Sequence, residues 1–284
     1  MKASIRVPGT TANLGPGFDC LGVALSIYNV VTVERSDLPV ELDPMPTEVG
    51  VAFFSKSGVD PFPFTWKIEG DVPRSRGLGS SVTVRLGLLH GLNEISGKRL
   101  SANDLFLLCA KLEGHPDNAA PAAFGGFTVA RPNGAVNRFE VDETLEFVLL
   151  IPDFEVRTAD ARKVMPVHLP LADAVTAIGN AAAITAAFAA KDYAALWGAF
   201  RDTTHQPYRE PLIPFLSRVI AAAEDAGALG GFLSGSGSTI AAVTLRDADA
   251  VAAAMANAAG LDISRTRVLI ADNRGVQNVE NAPT

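Results

Sequence analysis

The stretch from Pro73 to His90, P-R-S-R-G-L-G-S-S-V-T-V-R-L-G-L-L-H, constrains this chain more than any other part of it. Gly77 and Gly79 stand two apart and are followed at once by Ser80 and Ser81. From there Val82, Leu86 and Leu89 recur at i, i+4 and i+7, the spacing of one helical face. A glycine loop running into a helix start presents bare backbone N–H groups and the positive end of the helix dipole, a place that suits an anion and phosphate above all. Arg74 and Arg76 are at hand, and the spacing predicts Ser80 or Ser81 as the N-cap. An ordinary strand-to-helix turn with capping serines reads the same way, so the loop alone leaves both readings open. Two familiar phosphate loops are excluded: there is no Lys after Gly79, and position 82 is Val82 where a dinucleotide fingerprint needs glycine.

The rest of the chain bounds what such a loop serves. Its 284 residues make one large or two ordinary domains, and 48% hydrophobic with 19% charged residues is a folded profile. A formal net charge of −7 argues against nucleic acid or an anionic membrane as main partner, so any phosphate site is built locally. Cys20 and Cys109 are the only cysteines, which excludes a disulfide framework and a cysteine metal site. The opening M-K-A-S-I-R-V-P has no apolar signal-like core, and polar residues interrupt the long apolar runs. The expected class is a cytoplasmic enzyme.

Alternation and branched residues predict strands at Ala3–Val7, through Leu21–Glu34, and at Thr65–Ile68, Phe127–Val129, Leu145–Ile151 and Thr266–Ala271. Prolines break up the region from Ser36 to Pro63, leaving room for a short helix around Val49–Lys56. Gly97 reads as a C-cap, and S-A-N-D opens another helix at Ser101. Beyond Pro152–Asp153, taken as the domain boundary, the chain turns alanine-rich, with helices expected at Asp173–Ala190, Asp192–Arg201, Leu216–Ala226 and Asp247–Ala259. The tail from Asn273 to Thr284 is polar and expected to fray.

Four further clusters carry chemistry. Gly9 to Asp19 is a polar, glycine-rich loop holding Asn13 and Asp19, which also suit plain turn chemistry. The run E-G-H-P-D-N-A-A-P-A-A-F-G-G, Glu113 to Gly126, crowds Glu113, His115, Asp117 and Asn118 together, and a carboxylate near a phosphate loop is what Mg²⁺ requires. Arg162 in T-A-D-A-R and Arg209 in H-Q-P-Y-R sit in short polar islands where a carboxylate ligand is readily gripped, although surface charge accounts for them equally. Finally, S-G-S-G-S-T between two apolar runs from Gly230 to Val243 reads as strand, glycine turn, strand.

Taken in order, the N-terminal P-G-T-T-A-N-L-G-P-G-F-D, the P-R-S-R-G-L-G-S-S loop and the C-terminal L-S-G-S-G-S-T hairpin resemble the GHMP kinase superfamily. H-P-D-N-A-A-P-A-A-F-G-G, T-A-D-A-R and H-Q-P-Y-R-E-P-L are similar to its homoserine kinase branch. The resemblance implies an α+β, two-domain GHMP kinase fold. An N-terminal domain like the second domain of ribosomal protein S5 spans residues 1–152, and a ferredoxin-like C-terminal domain spans residues 153–284. It also implies ATP and Mg²⁺ as cofactors, L-homoserine as acceptor, and a homodimer. Pro73, Arg76, Gly77, Leu78, Gly79, Ser80 and Ser81 would wrap the ATP phosphates, with Glu113 and Ser81 holding the metal. Asp19 would bind the homoserine amine and Arg162 and Arg209 its carboxylate, while Asn13, His115, Asn118 and Thr158 line the acceptor site. Asn118, Thr158 and Arg162 would stand closest to the transfer, with no general base, since other superfamily members place aspartate where Asn118 stands. Gly9, Val82-Thr83 and Ser238 depart from the family pattern. So does the segment Ser36–Asp71, which is short and lacks an expected adenine-contacting asparagine. A kinase for another small hydroxy amino acid or amino alcohol, or a non-catalytic ligand-binding relative, is the alternative.

Overall fold

The computed structural model describes residues 1–279 and consists of two antiparallel sheets with helices around them. The chain opens with β1 (Lys2–Ala12) and β2 (Leu21–Arg35), followed by α1 (Pro44–Ser57), β3 (Phe64–Gly70), α2 (Ser80–Ile95), α3 (Ala102–Glu113) and α4 (Ala119–Phe124). Next come β4 (Phe127–Ala130), β5 (Val136–Phe139) and β6 (Glu146–Leu150), then α5 (Thr158–Lys163), α6 (Leu171–Ala190), α7 (Gln206–Arg209) and α8 (Leu216–Asp225). The remaining elements are β7 (Gly230–Leu233), β8 (Ile240–Thr244), α9 (Ala248–Ala259), β9 (Thr266–Leu269) and β10 (Gln277–Asn278).

The first sheet runs β10-β1-β2-β4-β5, and β3 pairs with the far half of β2. One long strand thus serves three partners: its start holds β4, its end holds β3, and β1 lies along its other edge. Helices α1 to α4 cover one face through Ile5, Val31, Val33, Leu86, Leu89 and Phe106. α3 starts as expected, with Ser101 and Asp104 forming a capping box. The other face, with Leu21, Val23, Leu25 and Phe127, packs on the second sheet and on α6.

That second sheet has the order β7-β8-β6-β9 and arises from β6, α8, β7, β8, α9 and β9. This is the split βαβ arrangement of a ferredoxin-like fold, with α5 to α7 inserted after its first strand. In β6, Phe147 and Leu149 enter the core between the sheets while Val148 and Leu150 face α8 and α9. Both faces are buried, hence the unbroken apolar run. The second sheet therefore begins ahead of Pro152–Asp153, and the chain returns to the first sheet at β10.

Several expectations need correction. The segment Asp192–Arg201 is not a helix: only Tyr193–Leu196 forms a 3₁₀ turn, after which Gly198 turns the chain so that Ala199 and Phe200 become buried as loop. α1 is longer than expected because prolines at its first turn cost it no hydrogen bond. β5 was not expected, since V-N-R-F at a sheet edge carries no apolar run. The tail is ordered through β10, where Gln277 and Asn278 pair with Arg6 and Ile5, and Asp272 accepts from the Arg274 and Gly275 amides. Residues 280–284 of that tail lie outside the described residues.

Candidate active site

A cleft of about 790 Å³, counting its open mouth, lies where the phosphate-type loop, the β1–β2 loop, the α3–α4 connection, α5, α7 and the β7–β8 turn meet. The two glycines of the loop explain its shape. Gly77 and Gly79 both have left-handed φ, 75° and 66°. A Cβ on Gly77 would stand 2.1 Å from the Ser234 carbonyl oxygen, and one on Gly79 would stand 2.2 Å from Thr10 Oγ1. The loop is thereby pressed between β1 and the β7–β8 turn. Ser234 Oγ donates to the Gly77 carbonyl at 2.6 Å, and the Thr10 amide donates to the Leu78 carbonyl at 3.1 Å.

The N-cap expectation is corrected here. Gly79 is the cap residue, Ser80 is already helical, and no side chain among the described residues caps α2. The opening N–H groups of this 16-residue helix are left for a ligand. Ser80 and Ser81 line the cleft, and the Ser81 hydroxyl donates to Glu113 Oε2 at 3.0 Å. Pro73 and Leu78 do not line it: Leu78 is fully buried in the core between the sheets. Arg76 does, yet its guanidinium donates to the Pro152 carbonyl at 3.0 Å and stands 3.5 Å from Glu155, tying the loop to the start of the second sheet's connections.

On the opposite wall stand the other candidate residues. Asn13 is buried with φ 72°; its Nδ2 donates to the Gly235 carbonyl at 3.0 Å and its Oδ1 accepts the Asp19 amide at 3.0 Å. That fixes the turn presenting Asp19, whose carboxylate forms a two-pronged pair with Arg162 at 2.8 and 3.1 Å. Arg209 is buried and donates to the Gly235 carbonyl at 3.0 Å and the Ala161 carbonyl at 3.3 Å. Burial, then the neighbouring Arg162 charge, pushes its pKa down to about 10, which still leaves it charged near neutrality. Both arginines lie against the Phe18 ring, 5.6 and 5.1 Å from its centre. Thr158 opens α5 at the cleft's rim.

Asp117 organises the α3–α4 connection. Its Oδ1 bonds His115 Nδ1 at 2.6 Å and accepts the Asn118 amide at 3.0 Å. Burial opposes a charged His115, but the bond to Asp117 and that carboxylate's charge outweigh it and hold the pKa above the ordinary value. That bond orients the imidazole in the cleft wall. Asn118 Oδ1 accepts from the Thr10 hydroxyl at 2.7 Å, leaving its NH₂ end for a ligand in the cleft. Thr10 therefore couples the glycine loop to this amide; it stands in the N-terminal motif, but no role was expected of it. Arg85 was missed too, although it stands one helical turn after Ser81. Its Nη1 donates to Glu113 Oε1 at 2.6 Å and its Nη2 to Glu48 Oε2 at 3.1 Å. Asp202, buried behind His205 and accepting three backbone amides, is a third unforeseen support.

The departures from family pattern have local reasons. Gly9 leaves room for Ile27 and Val72, Thr83 accepts from Asn29 and donates to the Ser80 carbonyl, and Ser238 donates to the Phe154 carbonyl.

The model of the GHMP kinases N terminal domain matches residues 47–126, and that of the GHMP kinases C terminal region matches residues 184–260. A homoserine kinase from Caldicellulosiruptor saccharolyticus is 37% identical over 84% of this chain and 83% of its own length. One from Moorella thermoacetica is 39% identical over 83% of this chain and 85% of its own length. The crystal structure of homoserine kinase from Cytophaga hutchinsonii superposes with a TM-score of 0.88 at 25% identity, covering 98% of this chain and 97% of that one. Mevalonate diphosphate decarboxylase from Enterococcus faecalis shares the fold at a TM-score of 0.74 and 14% identity, covering 98% of each chain. The motifs, the paired sheets and these likenesses agree: the chain belongs to the GHMP kinases and, among them, to the homoserine kinase family.

Proposed function

We propose that this chain transfers the γ-phosphoryl group of ATP to the side-chain hydroxyl of L-homoserine, giving O-phospho-L-homoserine. The observation that carries the reading is one cleft with two unlike walls. An uncapped helix start with its glycine loop and Glu113 forms one, and Asn13, Asp19, His115, Asn118, Arg162 and Arg209 form the other. The first suits a triphosphate. The second carries both an anion and two guanidiniums, the complement of an amino acid's two charges.

The hydroxyl oxygen of the acceptor attacks the γ-phosphorus, the bond to the β–γ bridging oxygen breaks, and ADP leaves. Asn118 presents a neutral donor to the cleft, and the nearby carboxylates are engaged, Asp19 by Arg162, Asp117 by His115 and Glu113 by Arg85, so the hydroxyl proton is assigned to a phosphoryl oxygen. Positioning and charge neutralisation then supply the rate. Glu113 and Ser81 fit a Mg²⁺ ion: they are hard oxygen donors on adjoining elements, and phosphate oxygens and water complete such sites. When bound, the metal neutralises charge on the phosphates. His115, oriented by Asp117, serves as a polar contact of the acceptor or the phosphoryl group. Thr158 serves as a rim contact of the acceptor.

The test is ADP release over a panel of L-homoserine, L-serine, L-threonine and 3-amino-1-propanol with ATP, GTP, CTP and UTP. L-Homoserine is expected to support the highest kcat/KM, and a higher value on any other acceptor would overturn the assignment. GTP is expected within about tenfold of ATP, roughly 1.4 kcal/mol, because backbone N–H groups bind phosphate without reading a base and the segment 36–71 is short. Rates with the other nucleotides below about a hundredth of that with ATP would refute loose base selection.

The same reading includes a homodimer in the cytoplasm. Leu171, Val175 and Ile178 form an exposed stripe at i, i+4 and i+7 on α6, with Val167 bare as well. Such a stripe is able to pair with its own copy about a two-fold axis. α6 is long and apolar enough to cross a membrane by length and composition, yet Ala177, Ile184, Ala187 and Phe188 seat it in the core. Light scattering should give twice the chain mass, and the chain mass alone for Ile178→Asp. A monomeric unmodified chain would refute the dimer.

A further inference from the structure

Arg85 reaches Glu113 from the side opposite Ser81. Oε1 of the carboxylate goes to the guanidinium at 2.6 Å and Oε2 to the Ser81 hydroxyl at 3.0 Å. Both side chains are largely buried, Arg85 at 15% and Glu113 at 8% exposure, where ion pairs are poorly screened. The other prong of Arg85 goes to Glu48 on α1, and its buried Nε has no partner among the described residues. All of the bonding of this guanidinium is therefore given to two carboxylates, one of which is the candidate metal ligand.

We propose that Arg85 is a positioning residue that keeps the cleft from retaining a divalent cation by itself, so that the metal enters with the nucleotide's phosphates. The inference rests on Glu113 and Ser81 being the metal pair. The split of the carboxylate does two things at once. It fixes the rotamer with Oε2 toward the cleft, and it spends the carboxylate's charge on a cation already in place. Mg²⁺ sheds its water reluctantly and is held by carboxylates together with substrate phosphates. No group of three or more His, Cys, Asp or Glu that suits a metal occurs among the described residues. A cation drawn to Oε2 alone therefore meets one neutralised carboxylate and a nearby guanidinium. The charges of a triphosphate reverse that balance, and Glu48 keeps Arg85 paired while Oε2 is shared with the metal.

The test is titration of the full chain with Mn²⁺, followed by its paramagnetic resonance signal, with and without a non-hydrolysable ATP analogue. The unmodified chain is expected to bind Mn²⁺ at least about tenfold more weakly without the analogue than with it. Arg85→Gln removes the charge but keeps an N–H donor for Oε1, and should tighten nucleotide-free binding by about tenfold. Arg85→Lys keeps the charge and should restore the unmodified value. Equal affinity with and without the analogue in the unmodified chain overturns the proposal, whatever the variants do. So does an Arg85→Gln chain, folded by its thermal melt, that binds no tighter than the unmodified one. Glu113→Gln separates the two readings: if it leaves nucleotide-dependent Mn²⁺ binding unchanged, the metal assignment itself fails.

Discussion

Replacing Glu113 with Gln is expected to lower kcat by about 10²- to 10³-fold and to flatten the Mg²⁺ dependence, while the protein still folds. The change is isosteric, so packing at this largely buried position is kept, and an amide oxygen still accepts from Ser81. What goes is a full negative charge facing the cleft. A neutral carbonyl is a poor ligand for a hard cation, and losing one preorganised electrostatic contact to a transition state costs roughly 3–4 kcal/mol. Stability falls by less, about 1.5–3 kcal/mol: with its oxygen on Ser81 the amide turns NH₂ toward Arg85 Nη1 and a largely buried ion pair is lost, while Arg85 keeps Glu48. Those two magnitudes separate the roles: a folded variant with collapsed turnover places Glu113 in the metal chemistry. Near-normal kcat with an unshifted Mg²⁺ titration would make it a structural helix end.

Much of this was legible in the chain itself, and the reason is local. The glycine loop, its helix, and the Glu113–Asn118 cluster are contiguous runs whose chemistry and spacing are set within a few residues, and the structure brings them to one cleft. Arg162 and Arg209 were also visible as cations out of place in an acidic chain, and both line it. What stayed hidden depends on partners far apart in sequence. The Thr10–Asn118 bond joins residues 108 positions apart, and Arg85 becomes significant only when α3 delivers Glu113 and α1 delivers Glu48 to its two prongs. The N-cap misreading is of the other kind. Ser80 and Ser81 have the right type, but the left-handed Gly79 brings the chain into the helix one residue sooner, which frees the Ser81 hydroxyl for Glu113. Asp192–Arg201 failed because alanine-rich composition argues for helix, whereas Phe200 is needed against Phe232, ring centres 5.2 Å apart, and only a loop brings it there.

Arg162→Ala should raise KM for homoserine about two- to a hundredfold and leave KM for ATP within about twofold. The geometry sets two effects against each other. In the free protein Arg162 is spent on Asp19, and a zwitterion must part that pair to place its amine on Asp19 and its carboxylate on Arg162. Removing Arg162 frees Asp19 in advance, which favours binding. That gain is small, because both partners are more than a third exposed and such pairs are worth about 0–1 kcal/mol. The loss is larger, since a charge-assisted bond to a bound carboxylate contributes about 1.5–3 kcal/mol. Loss wins by about 0.5–3 kcal/mol, the two- to hundredfold range stated. Arg209→Ala is a poorer probe, because that buried guanidinium also holds the Ala161 and Gly235 carbonyls and its removal loosens the wall. An acceptor without a carboxylate gives the internal control. For 3-amino-1-propanol only the favourable effect remains, so its KM should stay level or fall slightly in the same variant. Specificity between the two acceptors would then collapse by the full ten- to hundredfold. Equal losses for both acceptors would mean that Arg162 orders the cleft without touching the carboxylate, and the pair with Asp19 would be a strut of the wall rather than the site of exchange.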